Sequence, residues 1–409
     1  MDSDFQRLLV VNDYPPSTVA GAPVIVRQLL RRYDPDRLHI LCCDQWHSRQ
    51  TDVVRGSFLP CRHTAVPGAD INRLRPRRVF VPLSLQWNFL RIGRIVAEGR
   101  RIIREEGIEA IFTSTCSMEF SLAAARLARE FNLPLHVFET DDWIDANPKP
   151  LAWLLRAERA RSLRDARQVW TTSPAMVRSH RAKYGVESEF LFHFVDLEGY
   201  QTRTAGIEPP TDRIRITYTG SINGMFQETM ERFCDWLNAG VDIEGLPVEM
   251  VILTQNEPKR FLGSRVSWGG YVPMEEVPIR LRQGHLAAIL VSFTDQPALK
   301  GLIKTSLYTK TVDYLAAGSP TLVVSPPYSG EVDYFGDVTY VVDTWDTDRI
   351  REAIRRLALD SRTREDLREK GYARVAERHA FASLERLFLS HFRRERKEGN
   401  GAPCTIAMS

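Results

Sequence analysis

The densest chemistry in the chain lies between residues 305 and 324. A loop there gives way to a helix near Thr309, and Gly318-Ser319-Pro320 ends that helix before the strand Thr321–Val324. Lys310 falls in the first turn, where a cation opposes the helix dipole and needs an anion beside it. A phosphate is a natural one. Asp313 lies one turn on, on the same face, where a carboxylate could accept both hydroxyls of a ribose. The plainer reading of Lys310 and Asp313 is a surface pair three residues apart.

Three other segments carry groups of the same kind. Asn12 to Pro23 is a Pro/Gly loop after a strand. Gly21 would let backbone N–H groups approach a phosphate there, and the helix that follows points its positive end at the loop. A purely structural turn reads equally well. Glu139-Thr140-Asp141-Asp142 bunches three carboxylates at a strand end, a costly arrangement unless they are solvated, cap a helix or serve a site. Asp142 could simply cap a helix near Trp143. A carboxylate pair also suggests a glycoside hydrolase, but hydrolases of that kind rarely show two restarted parallel sheets. Tyr218-Thr219-Gly220-Ser221 runs a strand into N–H and hydroxyl donors suited to a diphosphate.

The elements that must hold these segments alternate along the chain. Leu8–Val11, Leu38–Cys42, 111–113 and 135–138 read as strands, separated by helical patterns at about 24–33 and 121–131. Strand, helix, strand at this rhythm means parallel βαβ units. The rhythm breaks at 199–212, rich in Thr, Gly and Pro, which reads as a linker. It restarts with strands at 214–218, 248–253, 266–268, 287–291 and 321–324. The expected fold is α/β, with two Rossmann-like doubly wound domains facing a cleft. The first covers 1–198 and the second 213–380. Residues 381–409 are expected to be a helix end and a disordered tail beginning near Arg393.

Bulk properties narrow the class. A chain of 409 residues exceeds a single core, and 43% hydrophobic with 26% charged content is that of a folded protein. The net charge of +3 gives no reason to expect nucleic acid as a partner. Six scattered cysteines without a CxxC pair point to reduced thiols and no metal. The acidic start is not read as a secretory signal, and no apolar run is long enough to span a membrane. A cytoplasmic location follows as an expectation. Arg75, Arg77, Arg78, Arg91, Arg94, Arg100, Arg101 and Arg104 interleave with apolar residues such as Phe80, Trp87 and Phe89. One reading is a peripheral contact with the inner membrane face or a lipid-linked acceptor; the other is an ordinary solvated helix. No GxGxxG or GxxxxGK[ST] fingerprint is present, which argues against a nicotinamide oxidoreductase or P-loop enzyme.

The run Lys310-Thr311-Val312-Asp313-Tyr314-Leu315-Ala316-Ala317-Gly318-Ser319-Pro320 resembles the donor-site signature K-x-x-E-Y-L-A-x-G-x-P of retaining GT-B glycosyltransferases of the family-four type. The likeness extends more loosely over the rest of the chain. It implies a glycosyltransferase that moves a sugar from a UDP-, GDP- or TDP-linked donor to an acceptor hydroxyl. The expected outcome is retention without a metal or other cofactor, and the acceptor is lipid-linked, a polysaccharide or a metabolite. Asp313 would take the place of the ribose-binding Glu, Lys310 would sit by the diphosphate, and Tyr271 and Val272 near the base. Gly21 and Ala22 would border the phosphates. Asp141 and Asp142 stand where relatives carry a catalytic His or Asp. Gly220, Ser221, Lys304, Thr309 and Tyr314 complete the expected donor site. Two departures stand out. The place eight residues before Asp313 is Thr305 rather than an acid, and the usual Arg and Lys after the second domain's first strand are missing, so that Lys300, Lys304 and Lys310 would have to neutralise phosphate. These departures motivate one rival, a degenerate, partner-binding subunit; a second keeps the fold and changes the reaction, as a sugar-nucleotide epimerase or phosphorylase.

Overall fold

In the computed structural model, each half of the chain folds around one sheet whose long path is entirely parallel. The structure describes residues 5–18, 21–47, 55–67, 77–114, 117–141 and 152–394. The first sheet contains β1 (Leu8–Val11), β2 (Leu38–Cys43), β3 (Arg62–Val66), β4 (Ala110–Ser114), β5 (Leu135–Glu139), β6 (Gln168–Thr171) and β7 (Glu189–Phe190) in the order β3-β2-β1-β4-β5-β6-β7. The second contains β8 (Ile214–Thr219), β9 (Asp242–Ile243), β10 (Leu246–Leu253), β11 (Val266–Trp268), β12 (Leu286–Leu290), β13 (Thr321–Val324) and β14 (Tyr340–Val342). Its order is β11-β10-β8-β12-β13-β14, with β9 paired antiparallel to β10.

The residues of β1 explain why both faces are covered. Leu8 and Val10 join one buried apolar cluster and Leu9 and Val11 another. A strand with period-two side chains and no polar face must be covered on both sides. In each sheet the strand order reverses next to the first strand, between β1 and β4 and between β8 and β12. Crevices at the carboxyl ends of strands at such reversals are where open α/β sheets bind ligands. The side chain of Asn12 spans the first reversal, accepting the Ser114 N–H at 2.7 Å.

The strands expected from sequence are present with small shifts at their ends, and five are additional: β3, β6, β7, β9 and β14. None is a long apolar run. β7 and β9 have two residues each, and β3 (Arg62-His63-Thr64-Ala65-Val66) is a half-exposed edge. The expected linker is partly wrong as structure. Leu197–Thr204 forms a helix, because Asp196 caps it by accepting the Gly199 N–H at 3.1 Å, and Tyr200 and Thr204 are buried on its inner face. Replacing Asp196 with Ala removes that cap and is expected to cost about 1 kcal/mol, read as a lowered midpoint in urea unfolding.

The chain end also differs from expectation. The helix Phe381–Ser390 returns to the first sheet, where Phe388 meets Phe112 at 5.6 Å and Trp170 at 5.0 Å between ring centroids. Buried Glu385 receives Arg32 at 3.0 Å and Arg31 at 3.6 Å. Arg393 bridges to Phe5, and Arg394 bonds Glu109 at 2.8 Å, so the chain is held to this point. Residues 395–409 lie outside the described residues. One apolar cluster runs from β1 and β4 through Phe192 and Phe194 to β12 and β13, joining the two halves.

Among the described residues no helix is long and apolar enough to cross a membrane. The arginine-rich segment forms the helix Arg77–Glu106. Arg75 lies outside the described residues, as do the side chains of residues 77–90. Further along, Arg91 faces Glu119, Arg100 pairs with Glu130 at 2.7 Å, and Arg101 pairs with Glu98 and Glu105. Among the described residues, three of the eight arginines thus face carboxylates.

Candidate active site

The carboxyl ends of both sheets open on one cavity of about 400 Å³ between the two halves. Its walls include Gly21, Ala22 and Asp141 from the first half, and Gly220, Ser221, Tyr271, Val272, Thr309, Lys310 and Asp313 from the second. Ten of the thirteen residues singled out in the sequence therefore meet in one place. Asp142 lies outside the described residues.

Two of the thirteen do not reach the cavity. Tyr314 is fully buried beneath it, and its hydroxyl accepts the Thr219 N–H at 2.9 Å. It braces the turn that presents Gly220 instead of touching a ligand. Lys304 is exposed near the end of the helix Pro297–Thr305 and is not part of the wall. Lys300 points elsewhere too, 3.9 Å from Asp295 and 4.8 Å from the Tyr328 ring. Of these three lysines only Lys310 lines the cavity.

Lys310 and Asp313 both face the cavity but do not pair. The Lys310 ammonium lies 4.2 Å from the Tyr218 ring and 4.1 Å from the Phe226 ring. It donates to the Tyr218 hydroxyl at 2.6 Å, and that hydroxyl donates to the Ser221 carbonyl at 2.9 Å. Burial against these rings pushes the ammonium down from 10.5 to about 7, with the charge of Glu331 opposing the shift. An anion arriving here would restore the charged form.

Glu331 is the acid that the sequence reading missed. The helix Thr309–Ala316 has no side-chain cap of its own. The buried Glu331 carboxylate supplies one from a distance, accepting the Tyr308 N–H at 3.1 Å and the Thr311 hydroxyl. Burial raises its pKa to about 7. In its ionised form it places negative charge at the positive end of that helix.

Asp313 is held from the segment that joins the halves. Its Oδ1 accepts the Tyr200 hydroxyl at 2.7 Å and faces His193 Nε2 at 3.1 Å. Both partners line the cavity, and neither was anticipated. The available signal was a lone histidine in the apolar run Leu191-Phe192-His193-Phe194-Val195. On the other wall, Ser306 Oγ donates to Asp141 Oδ1 at 3.3 Å, and Ser173 Oγ donates to the Thr305 carbonyl. The loop before Lys310 is thus tied to the first half. Tyr271 is half exposed at the cavity edge, next to Thr254, Gln255 and Asn256 beyond β10. Among the described residues, no group of three or more His, Cys, Asp and Glu side chains is placed to hold a metal ion.

Comparison with known proteins gives this arrangement a class. Residues 20–190 match the family model of the glycosyl transferase 4-like domain. Sucrose-phosphate synthase from Thermosynechococcus elongatus superposes with a TM-score of 0.68 at 13% identity, over 95% of this chain and 98% of that one. HepE of Anabaena, solved in complex with UDP-glucose, superposes at 0.65 and 12% identity, over 94% and 98%. The UDP-forming alpha,alpha-trehalose-phosphate synthase from Burkholderia vietnamiensis gives 0.62 at 12% identity, over 94% and 99%. No curated protein matches the sequence. The fold is GT-B, and the protein is a glycosyltransferase. Its first domain is a glycosyl transferase 4-like domain, in keeping with the family-four resemblance of the 310–320 segment.

Proposed function

We propose that this enzyme transfers a sugar from a UDP-linked donor to an acceptor hydroxyl, with retention and without a metal ion. The observation that carries the donor site is the placement of Lys310, Asp313, Gly220 and Tyr271 around one cavity at the carboxyl ends of the second sheet. In this reading the second domain spans 213–380 and binds the nucleotide. Tyr271 and Val272 border the base, and Asp313 takes the ribose. The diphosphate lies between Lys310, the Gly220–Ser221 turn and the start of the helix Gly21–Leu30, whose free N–H groups and dipole favour an anion. Uridine is proposed on the similarity to HepE, which was solved with UDP and with UDP-glucose.

Departure of the nucleoside diphosphate concentrates negative charge on its terminal phosphate. Fixed donors aimed at that position stabilise the transition state without reorganising. Lys310 supplies a proton-bearing cation for this, which makes a divalent ion dispensable. Asp141 faces the same space from the acceptor side, tied to Ser306 of the donor side. Closure of the halves on a bound donor then aligns the acceptor and excludes water. The acceptor is a hydroxyl of a glycan, a lipid-linked sugar or a small metabolite. Retention rests on the resemblance of the 310–320 segment.

The first measurement is thermal stabilisation by UDP, GDP, TDP, ADP and NAD, with magnesium and with a chelator. A ligand at about a hundred times its Kd adds about 2.7 kcal/mol. Stabilisation by UDP alone, equal with and without magnesium, is the expected result. Dependence on magnesium would overturn metal independence, and preference for another nucleotide would overturn the uridine assignment.

A further inference from the structure

We propose that Tyr200 and His193 are positioning residues that aim the Asp313 carboxylate at the donor ribose. This rests on the reading of Asp313 as the ribose acceptor, and it adds how a shortened acid can serve there. The family signature has Glu at this place, and Asp is one methylene shorter. A short carboxylate left to choose its own rotamer would present either oxygen, at varying angles, to the cavity.

The structure removes that choice. Tyr200 and His193 converge on the same oxygen, Oδ1, at 2.7 and 3.1 Å. A carboxylate oxygen accepts two such bonds through its two lone pairs, and two bonds from different directions fix the plane of the group. Among the described residues Oδ2 has no hydrogen-bonding partner, and Asp313 lines the cavity. One oxygen is therefore committed to the protein and the other is offered to a ligand. Burial holds the Tyr200 hydroxyl well above its ordinary titration range, so it stays a donor at any working pH. As a donor to Oδ1, His193 carries its hydrogen on Nε2, the tautomer that this contact selects.

The two donors are themselves held by the fold. Tyr200 is on the inner face of the helix Leu197–Thr204. The His193 carbonyl accepts His379 Nδ1–H at 2.9 Å, and the His193 ring is 2% exposed. Both residues come from the connection between the halves, and Asp313 from the second half. The ribose site is thus assembled across the boundary, and its geometry depends on how the halves sit.

The test compares binding of UDP, 2′-deoxy-UDP and 3′-deoxy-UDP by calorimetry in the wild type and in Tyr200→Phe, His193→Leu, His193→Gln and Asp313→Ala. A hydrogen bond from a ribose hydroxyl to a carboxylate contributes about 1.5–3 kcal/mol, so the wild type should prefer UDP over at least one deoxy form by about tenfold to a hundredfold. Tyr200→Phe and His193→Leu should bring that preference to near unity by weakening UDP alone. His193→Gln keeps a donor near the Nε2 position and should retain most of it. A Tyr200→Phe protein with the wild-type preference, or one weakened equally toward all three ligands, overturns the positioning role. An Asp313→Ala protein that keeps the preference overturns the ribose assignment beneath it. Absence of any UDP binding by the wild type overturns the donor reading as a whole.

Discussion

Replacing Lys310 with Ala lowers turnover by about a hundredfold to a thousandfold, the range found when one fixed donor to a developing anion is removed, while the protein stays folded. The fold should tolerate the change because the side chain runs along the Tyr218 and Phe226 rings into the cavity and makes no ion pair with a described residue. Steady-state rates with saturating donor measure the loss, and thermal unfolding checks that the protein is intact. Unchanged turnover would remove Lys310 from the leaving-group site.

The same residue makes donor binding depend on pH. In the empty site the ammonium titrates near 7, well below 10.5, because burial disfavours the charge. A diphosphate stabilises the charged form. Below pH 7 the cation is already present and affinity is level. Above pH 7 each binding event must take up a proton, so affinity falls by up to about tenfold per pH unit until the group's pKa in the complex is passed. In the free enzyme the sign is opposite. Between 7 and 10.5 the unfolded chain binds more protons at this site than the folded one, so this lysine makes stability rise with pH across that window. A Lys310→Arg protein keeps its charge throughout and should lose the slope in affinity. Calorimetry at pH 6, 7, 8 and 9 in buffers of different ionisation heat would count the proton directly.

The second large effect falls on stability. Gly318→Ala is expected to cost about 2–5 kcal/mol. Gly318 has φ +65°, a left-handed conformation that costs a side-chain-bearing residue about 1–2 kcal/mol. A methyl group there would also stand 2.2 Å from the Tyr372 hydroxyl and 3.4 Å from Arg368 Cδ. Such overpacking adds about 1–3 kcal/mol. Urea unfolding measures the sum. Gly318→Ala and Lys310→Ala lie eight residues apart in one signature, yet the first should fail by unfolding and the second by losing chemistry. Equal stability of Gly318→Ala and the wild type would show that the helix end can shift without penalty.

These two residues also mark what could be read in the sequence. Gly318-Ser319-Pro320 announces a helix end from local backbone chemistry alone. Lys310 and Asp313 were placed on one face of one helix by a three-residue spacing. Leu8-Leu9-Val10-Val11 required cover on both faces because none of the four residues is polar. Each inference uses forces acting within about ten residues, which is why the two parallel sheets and the helix-to-strand signature were legible in advance. The polar edge strand β3 and the two-residue strands β7 and β9 were not, since their pairing is set by neighbours and not by an apolar run of their own. The helix Leu197–Thr204 was mistaken for a plain linker because its burial comes from packing between the halves.

Tertiary structure alone decided the partners. Asp313 meets Tyr200 and His193 across 113 and 120 residues, Lys310 meets Tyr218 across 92, and Glu331 caps a helix that begins 22 residues before it, at Thr309. Tyr314, expected to touch the ligand, turned inward to brace Thr219, while Lys304 stayed at the surface. Helical spacing fixes which residues share a face. Which of them reaches a cavity, and in what protonation state, depends on burial and on groups brought together from distant parts of the chain, and no local pattern carries that information.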